Sequence, residues 1–373
     1  MIKNCPVCNK NNFKKIFSNN KIPKYELTYY LNKKASLKHE FVKINFVLCK
    51  NCGFLFNNIY RQLNYKDNSY DANRSNSEYF IHYLQNICND LVKNISDDKK
   101  NIKNVVEIGA GDGNFSKLLS SKLNCKVFAF DPSWSKKSKS KNLYKINDYY
   151  TPKYKFHPDI VIFRHVLEHV SNVKKFIRNA INENPKYVFI EIPVADFVLK
   201  NNFHYFENEH CSYFNNYSLE LLMNNFGYKK VYIRKEFNNE YIVSLWRQTN
   251  NLKIKNKKMN IKKLKIIEYK KWKLKILNNL KPKSIIWGAG GKGVMIFNML
   301  NLNYKKFEYV IDINHKLHGK YMPGTGNMII SPLKIKELDI KNIYFLNILY
   351  KNEIKKFLDK IKYTGKLKSL FIK

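Results

Sequence analysis

The sequence predicts an α/β chain in which two parallel-sheet units follow a small metal-binding module. Three observations carry that reading. Four cysteines stand as two C-x-x-C pairs, Cys5 with Cys8 and Cys49 with Cys52. Short apolar strands alternate with amphipathic helical stretches through the middle of the chain. A strand running into a glycine loop occurs twice, as "NVVEIGAGDGNF" and as "SIIWGAGGKGVM".

The first part spans residues 1–62. Both C-x-x-C pairs sit at tight turns, and four thiolates complete the tetrahedral sulfur shell that suits zinc. Four protein ligands leave no open position, so a Zn2+ ion there is expected to be structural. The stretch between the pairs is long enough to carry strands of its own. Seven cysteines in all, an odd number, argue against a disulfide framework.

Residues 63–250 read as the core. "NVVEIGA", "KVFAFDPS", "DIVIFRHVL", "KYVFIEIPV", "KKVYIRKEF" and "EYIVSLW" are strands, and "GNFSKLLSSKL" and "SNVKKFIRNAI" are intervening helices. This rhythm predicts a mainly parallel sheet with ligands at the carboxyl ends of its strands. Gly109, Gly111 and Gly113 form the loop after the first strand, where a side chain would collide with a ligand lying on the backbone. Asp112 stands inside that loop, and exposed amides there can meet a carboxylate or phosphate. Glu107 lies within the strand before it. Asp131 ends the second strand, where a carboxylate can accept the hydroxyls of a ribose. Asp148, in "INDYY", is placed to meet an adenine amino group.

Residues 251–280 read as a basic amphipathic linking helix stopped by Pro282. Residues 281–373 then begin a second strand–loop–helix unit. Gly288, Gly290 and Gly293, with Asp312 about 20 residues on, have the form of a dinucleotide site.

The glycine loop, the ribose acid and "DIVIFRHVLEHV", in that order, resemble a class I S-adenosylmethionine-dependent methyltransferase with a Rossmann-like core. The whole order of parts resembles the sugar C-methyltransferases of deoxysugar pathways. "GAGGKG", "YVIDINHKLHGKYMPGTGNMII" and "FLNILYKNEI" look like that family's closing Rossmann-like domain, with its turn at Pro323, Gly324 and Thr325. The resemblance implies S-adenosyl-L-methionine as cofactor and a nucleotide-linked 4-keto sugar as substrate, methylated at carbon through an enolate. It also implies that the second glycine loop binds no NAD and helps to close over the substrate, with Gly290 and Lys292 near a diphosphate.

Carbon methylation needs a base and donors for the enolate oxygen. "ENEHCSYF" matches the family's Glu-His pair at Glu209 and His210, followed by Ser212, Tyr213 and Phe214. His210 is the candidate base, Glu209 its orienter or a sugar contact, and Tyr213 a substrate contact. The family's Tyr-His before that pair is replaced by Glu207 and Asn208. Its Gly-Gly-Ser stretch is replaced around "NEYIVSLW". Alternatively, "HCSYFNNYSLELLMNNFGY" is only the entry to a helix. His165 and His169 line the expected cofactor pocket. Tyr70 and His82 fall where a lid helix covers it, and Tyr70 is a candidate substrate contact.

Three other functions stay open: O-methylation of a sugar or another small molecule, RNA methylation with the metal module gripping nucleic acid, and an NAD-binding oxidoreductase or binding protein. The formal charge of +39 favours the second only superficially. Lysines are spread through every segment alongside Asn, Ile, Tyr and Phe, the pattern of compositional drift, and planar phosphate recognition favours Arg. Nucleic acid is therefore not the expected partner. No run of about 18 apolar residues marks a membrane span. "MIKNCPVCNK" lacks a signal peptide's apolar stretch, which predicts a cytoplasmic protein. The oligomeric state is not legible in the sequence.

Overall fold

The computed structural model describes residues 1–64, 77–134, 138–200, 202–250 and 268–371. The N-terminal module consists of β1 (Phe13–Pro23), α1 (Lys33–Leu37), β2 (Phe41–Cys49) and β3 (Leu55–Asn57). β1 and β2 fill the stretch between the cysteine pairs as an antiparallel ribbon, with β3 beside β2.

The core contains α2 (Glu78–Asn94), β4 (Asn104–Ile108), α3 (Asn114–Leu123), β5 (Lys126–Phe130), β6 (Ser138–Ser140), β7 (Leu143–Ile146) and β8 (Ile160–Arg164). It continues through α4 (Val173–Ala180), β9 (Tyr187–Pro193), α5 (Ala195–Val198), β10 (Ser212–Tyr213), α6 (Asn216–Asn224), β11 (Tyr228–Glu236) and β12 (Tyr241–Gln248). Its sheet runs β11-β12-β9-β8-β4-β5-β7-β6. The five strands from β9 to β7 are parallel. All seven residues of β9 are buried, because helices cover both faces of a parallel sheet. Asn215 and Ser218 form a reciprocal capping box that starts α6, a device whose cap residue contributes about 1 kcal/mol.

The C-terminal unit comprises α7 (Tyr269–Asn279), β13 (Ser284–Trp287), α8 (Gly291–Leu300), β14 (Tyr309–Ile311), β15 (Met328–Ile330), β16 (Asn342–Phe345), α9 (Lys351–Lys360) and β17 (Lys366–Ser369). Its sheet, β15-β14-β13-β16-β17, is parallel throughout. The helix expected over 251–280 is described only as α7, because residues 251–267 lie outside the described residues. α7 is packed rather than free: Trp272 and Ile276 are buried.

The three parts are not separate beads. One apolar cluster joins Phe17 and Phe46 of the module, Phe203 and Tyr213 of the core, and Ile286 and Phe297 of the C-terminal unit. β10, from the core segment, pairs with β3 and completes the module's sheet. In each parallel sheet the strand order reverses beside its first strand, at β4 in the core and at β13 in the C-terminal unit. Such reversals open a crevice at the strand ends. The two glycine loops occupy those two crevices.

Candidate active site

A cavity of about 1000 Å³ is lined by all three parts of the chain. Both glycine loops border it: Gly109, Gly111 and Asp112 from the core, and Gly288, Gly290 and Lys292 from the C-terminal unit. α2 covers it with Phe80 and Leu84. His82, on the same helix, is exposed, and Tyr70 lies outside the described residues.

The first loop is held by the strand beside it. Gly109 and Ala110 both donate N–H to the Phe130 carbonyl, at 2.8 and 2.9 Å. Gly109 and Gly111 have φ of +71° and +57°, a region that favours glycine. A methyl group on Gly109 would strike Val166 Cγ2 at 2.5 Å, whereas one on Gly111 would meet nothing within 4 Å. The space over Gly111 is a cradle of the kind a ligand fills. Asp131 closes it: its Oδ2 accepts from Gly111 N at 2.8 Å, and its Oδ1 accepts from Ser133 N and Oγ at 2.9 and 2.6 Å. Each carboxylate oxygen has two acceptor positions, so Oδ2 can accept one bond more. Asp148 also lines the cavity. Hydrogen bonds from Tyr154 and then Lys153 hold its carboxyl down at about 2.

Two expected cofactor contacts lie outside the cavity wall. Glu107 is fully buried behind the loop, hydrogen-bonded by Ser116 and 3.9 Å from Arg164, and it does not reach the cavity wall. Burial raises its carboxyl to about 7, with Arg164 opposing the rise. Gly113 lies outside the wall too; it is the left-handed cap that starts α3.

His165 lines the cavity with its ring between Glu168 and Glu191, 3.3 Å from each. Glu191 is fully buried. Burial would raise it, but Arg164 at 2.7 Å and His165 hold it well below the usual carboxylate range. Tyr83 donates to the same carboxylate at 2.7 Å.

Beyond this lies the stretch read as catalytic. His210 lines the cavity, with Nδ1 2.5 Å from Glu207 Oε1. Burial would lower His210, yet Glu207 overrides it and the imidazole is raised. The carboxylate beside His210 Nδ1 is Glu207, whereas Glu209 was expected to orient His210 or to meet the sugar. Glu209 turns instead to the N-terminal module, accepting from Glu26 N at 2.7 Å. His169 packs edge-on against His210 at 4.7 Å, with Nδ1 2.8 Å from the Glu209 carbonyl. Burial and then His210 bring it down to about 4. Tyr213 is fully buried, its hydroxyl spent on the Tyr205 carbonyl, so it packs under the site rather than in its wall.

At the second loop, Asp312 repeats the clasp of Asp131, accepting from Ala289 N at 2.7 Å and Asn314 N at 2.8 Å. The module then covers this loop: Tyr29 donates to the Ala289 carbonyl at 2.9 Å. Glu207 Oε2 and Glu26 Cβ stand 3.7 and 3.8 Å from where a side chain on Gly291 would begin. A carboxylate at the start of α8 is the wrong neighbour for a pyrophosphate. Lys292, expected near a diphosphate, reaches across to Glu240 at 2.5 Å, with its ammonium over the Tyr205 ring. Among the described residues, the other cations in the wall are Arg164, paired with Glu191, and Lys175, exposed on α4.

Glu26, Glu207 and Glu240 had no role in the sequence-based site. Only the exchange of the family's Tyr for Glu207 gave a signal. The acids Glu26, Glu168, Glu191, Glu207, Glu209 and Glu240 are all buried at or beside the cavity, in a chain with 68 Lys and Arg to 29 Asp and Glu. Acidic groups outnumber the two paired cations of the wall, Arg164 and Lys292, while most of the chain's lysines lie elsewhere. That arrangement attracts a sulfonium and opposes a polyphosphate strand at the reacting centre.

At the module, Cys5 and Cys52 Sγ are 3.6 Å apart and Cys8 and Cys49 Sγ 3.5 Å. All four sulfur atoms lie within 4.8 Å of one another. Thiolates at about 2.3 Å around one metal ion form a tetrahedron with edges of about 3.8 Å, so the four fit one ion.

A methyltransferase domain matches residues 80–233, and a C-methyltransferase C-terminal domain matches residues 248–369. No curated protein matches the chain. Among solved structures, an O-methyltransferase family protein from Burkholderia thailandensis is 9% identical, with a TM-score of 0.35, over 46% of this chain and 58% of that one. This chain thus spans little more than half of that protein. Magnesium protoporphyrin IX methyltransferase from Synechocystis PCC 6803, with bound S-adenosylhomocysteine, is 11% identical at a TM-score of 0.36, over 46% and 84% of the two chains. A plantazolicin methyltransferase is 11% identical at 0.35, over 47% and 86%. No helix among the described residues is long and apolar enough to cross a membrane.

Proposed function

Taking as premise that the chain is an S-adenosylmethionine-dependent methyltransferase with a C-methyltransferase C-terminal domain, we propose that it methylates carbon in a nucleotide-linked 4-keto sugar. The supporting observation is the single cavity that runs from the Gly111–Asp131 cradle to the His210–Glu207 pair. S-adenosylmethionine supplies the activated methyl group. Gly109, Gly111 and Asp131 hold it, with Asp148 toward the adenine end. His210 removes the proton from the carbon beside the ketone, and Glu207 steadies the imidazolium that forms. His165 and the buried Glu191 line the same wall. The acid-rich interior suits a neutral, oxygen-bearing sugar, and the loop at Gly290 closes over it. The carrier diphosphate finds its counter-charge in Lys175 at the rim rather than in Lys292. The four thiolates hold Zn2+ as a structural ion.

The experiment is incubation with S-adenosylmethionine and a panel of nucleotide 4-keto sugars in deuterated water. Methylated product with deuterium exchange at the neighbouring carbon is expected. Replacing His210→Asn removes both, at a cost of about 10²–10⁴-fold in rate for a lost general base. Methylation that survives in this variant removes His210 from the base role. Transfer to oxygen would favour the O-methyltransferase reading.

A further inference from the structure

Glu26 belongs to the N-terminal module, three residues beyond the end of β1, yet its side chain is 1% exposed and forms part of the cavity wall. It is interlocked with Glu209, from the core. The N–H of Glu26 donates to Glu209 Oε2 at 2.7 Å, and the N–H of Asn208 donates to Glu26 Oε1 at 2.8 Å. These backbone bonds fix both carboxyl groups without the help of any flexible side chain. Glu26 Oε2 and Glu209 Oε1 are then left buried with no donor, and the bond from Glu26 N to Glu209 Oε2 sets the two carboxyl groups side by side.

Two ionised carboxylates cannot share such a place cheaply, since each lacks solvent and each repels the other. One proton held between them satisfies both orphaned oxygens at once. Glu207 pushes both carboxyl groups in the same direction, while His210 opposes the rise at Glu209. Glu207 and His210 face the pair from its own loop, Tyr213 from β10, and the first turn of α8 closes against it at Gly291. Burial raises both Glu26 and Glu209, and Glu209 raises Glu26 further.

We propose that Glu26 and Glu209 form a carboxyl pair sharing one proton, and that this pair hydrogen-bonds a neutral oxygen of the methyl acceptor. Glu26 is then an active-site residue delivered by the zinc module. This rests on the reading of the cavity as the acceptor site. When the acceptor binds, the proton leaves its place between the two carboxyl groups and is donated to the acceptor's carbonyl oxygen, a bond that strengthens as enolate charge develops, while the ionised partner accepts from a hydroxyl. A keto sugar offers both groups on adjacent carbons. The module thereby does more than stabilise the fold, because its β1–α1 connection completes the pocket.

Two measurements on the full chain test the pair and its role separately. Infrared difference spectra of wild type minus Glu26→Gln at neutral pH, with S-adenosylhomocysteine bound, should contain a protonated-carboxyl carbonyl band. Its absence overturns the shared proton whether or not any acceptor has been found, which separates this failure from failure of the sugar reading. Kinetically, Glu26→Ala should lower kcat/KM for the acceptor by about 10²-fold, the effect of losing one preorganised donor. Affinity for S-adenosylhomocysteine and metal content should stay at wild-type values. Glu26→Gln keeps a donor and should recover part of the loss. Unchanged kcat/KM in Glu26→Ala overturns the acceptor contact, and so does a loss of activity fully accounted for by lost metal or lost S-adenosylhomocysteine binding.

Discussion

Replacing Gly111 by alanine separates the backbone cost of the first glycine loop from its ligand cost. Gly111 has a φ of +57°, and a methyl group on it meets no protein atom within 4 Å. The unliganded protein should therefore lose only the left-handed backbone penalty of about 1–2 kcal/mol, which lowers Tm by about 2–8 °C for a unit of roughly 150–250 residues. The methyl group occupies the cradle beside Asp131. A cofactor lying on that backbone has to move, an overpacking cost of about 1–3 kcal/mol, or about 5–150-fold in Kd. Gly109→Ala is the counter-case: its methyl strikes Val166 Cγ2 at 2.5 Å at a φ of +71°, so the cost falls on the unliganded fold. Titration calorimetry with S-adenosylhomocysteine, run beside thermal melting, reads both quantities. If Gly111→Ala binds as tightly as wild type, the cradle is not the cofactor's seat. If it melts as low as Gly109→Ala, the steric distinction between the two glycines is wrong.

Glu207→Gln removes the carboxylate that raises His210 and leaves burial to lower it, so the acidic limb of kcat/KM should move to lower pH; a limb that stays in place would separate Glu207 from the base. The same raised pKa makes the pair's contribution to stability largest below the ordinary histidine value of about 6.5 and lost as pH rises through the folded value. Lys175→Ala should raise KM for a nucleotide sugar by about 5–10-fold with kcat little changed, whereas an equal fall in kcat would place the lysine at the reacting centre. Cys49→Ser should lose one equivalent of bound metal and destabilise the module. Cobalt substitution in wild type should give the spectrum of a tetrahedral thiolate site, and normal folding without metal would refute the structural role.

The elements legible in the sequence were those set by neighbouring residues. The six expected core strands are β4, β5, β8, β9, β11 and β12, because a short apolar run between turn residues has few other places to go. Asp131 and Asp312 clasp their glycine loops as strand-end acids do, one residue past β5 and β14. The roles inside the cavity were less legible. Glu107 sits beside the loop in sequence, but strand alternation turns its side chain into the packed layer, where Ser116 and Arg164 meet it. Lys292 has the sequence setting of a phosphate contact, yet Glu240, 52 residues away in the chain, captures it.

The sequence by itself determined the two glycine loops and the two C-x-x-C pairs, since each depends on residues only a few positions apart. Tertiary structure alone decided that both crevices open onto one cavity. It also decided that Glu26 reaches Glu209 across 183 residues of chain. The physical reason is that these pairings arise where three units bury a common apolar cluster, and the ordering of that burial leaves no trace in local periodicity.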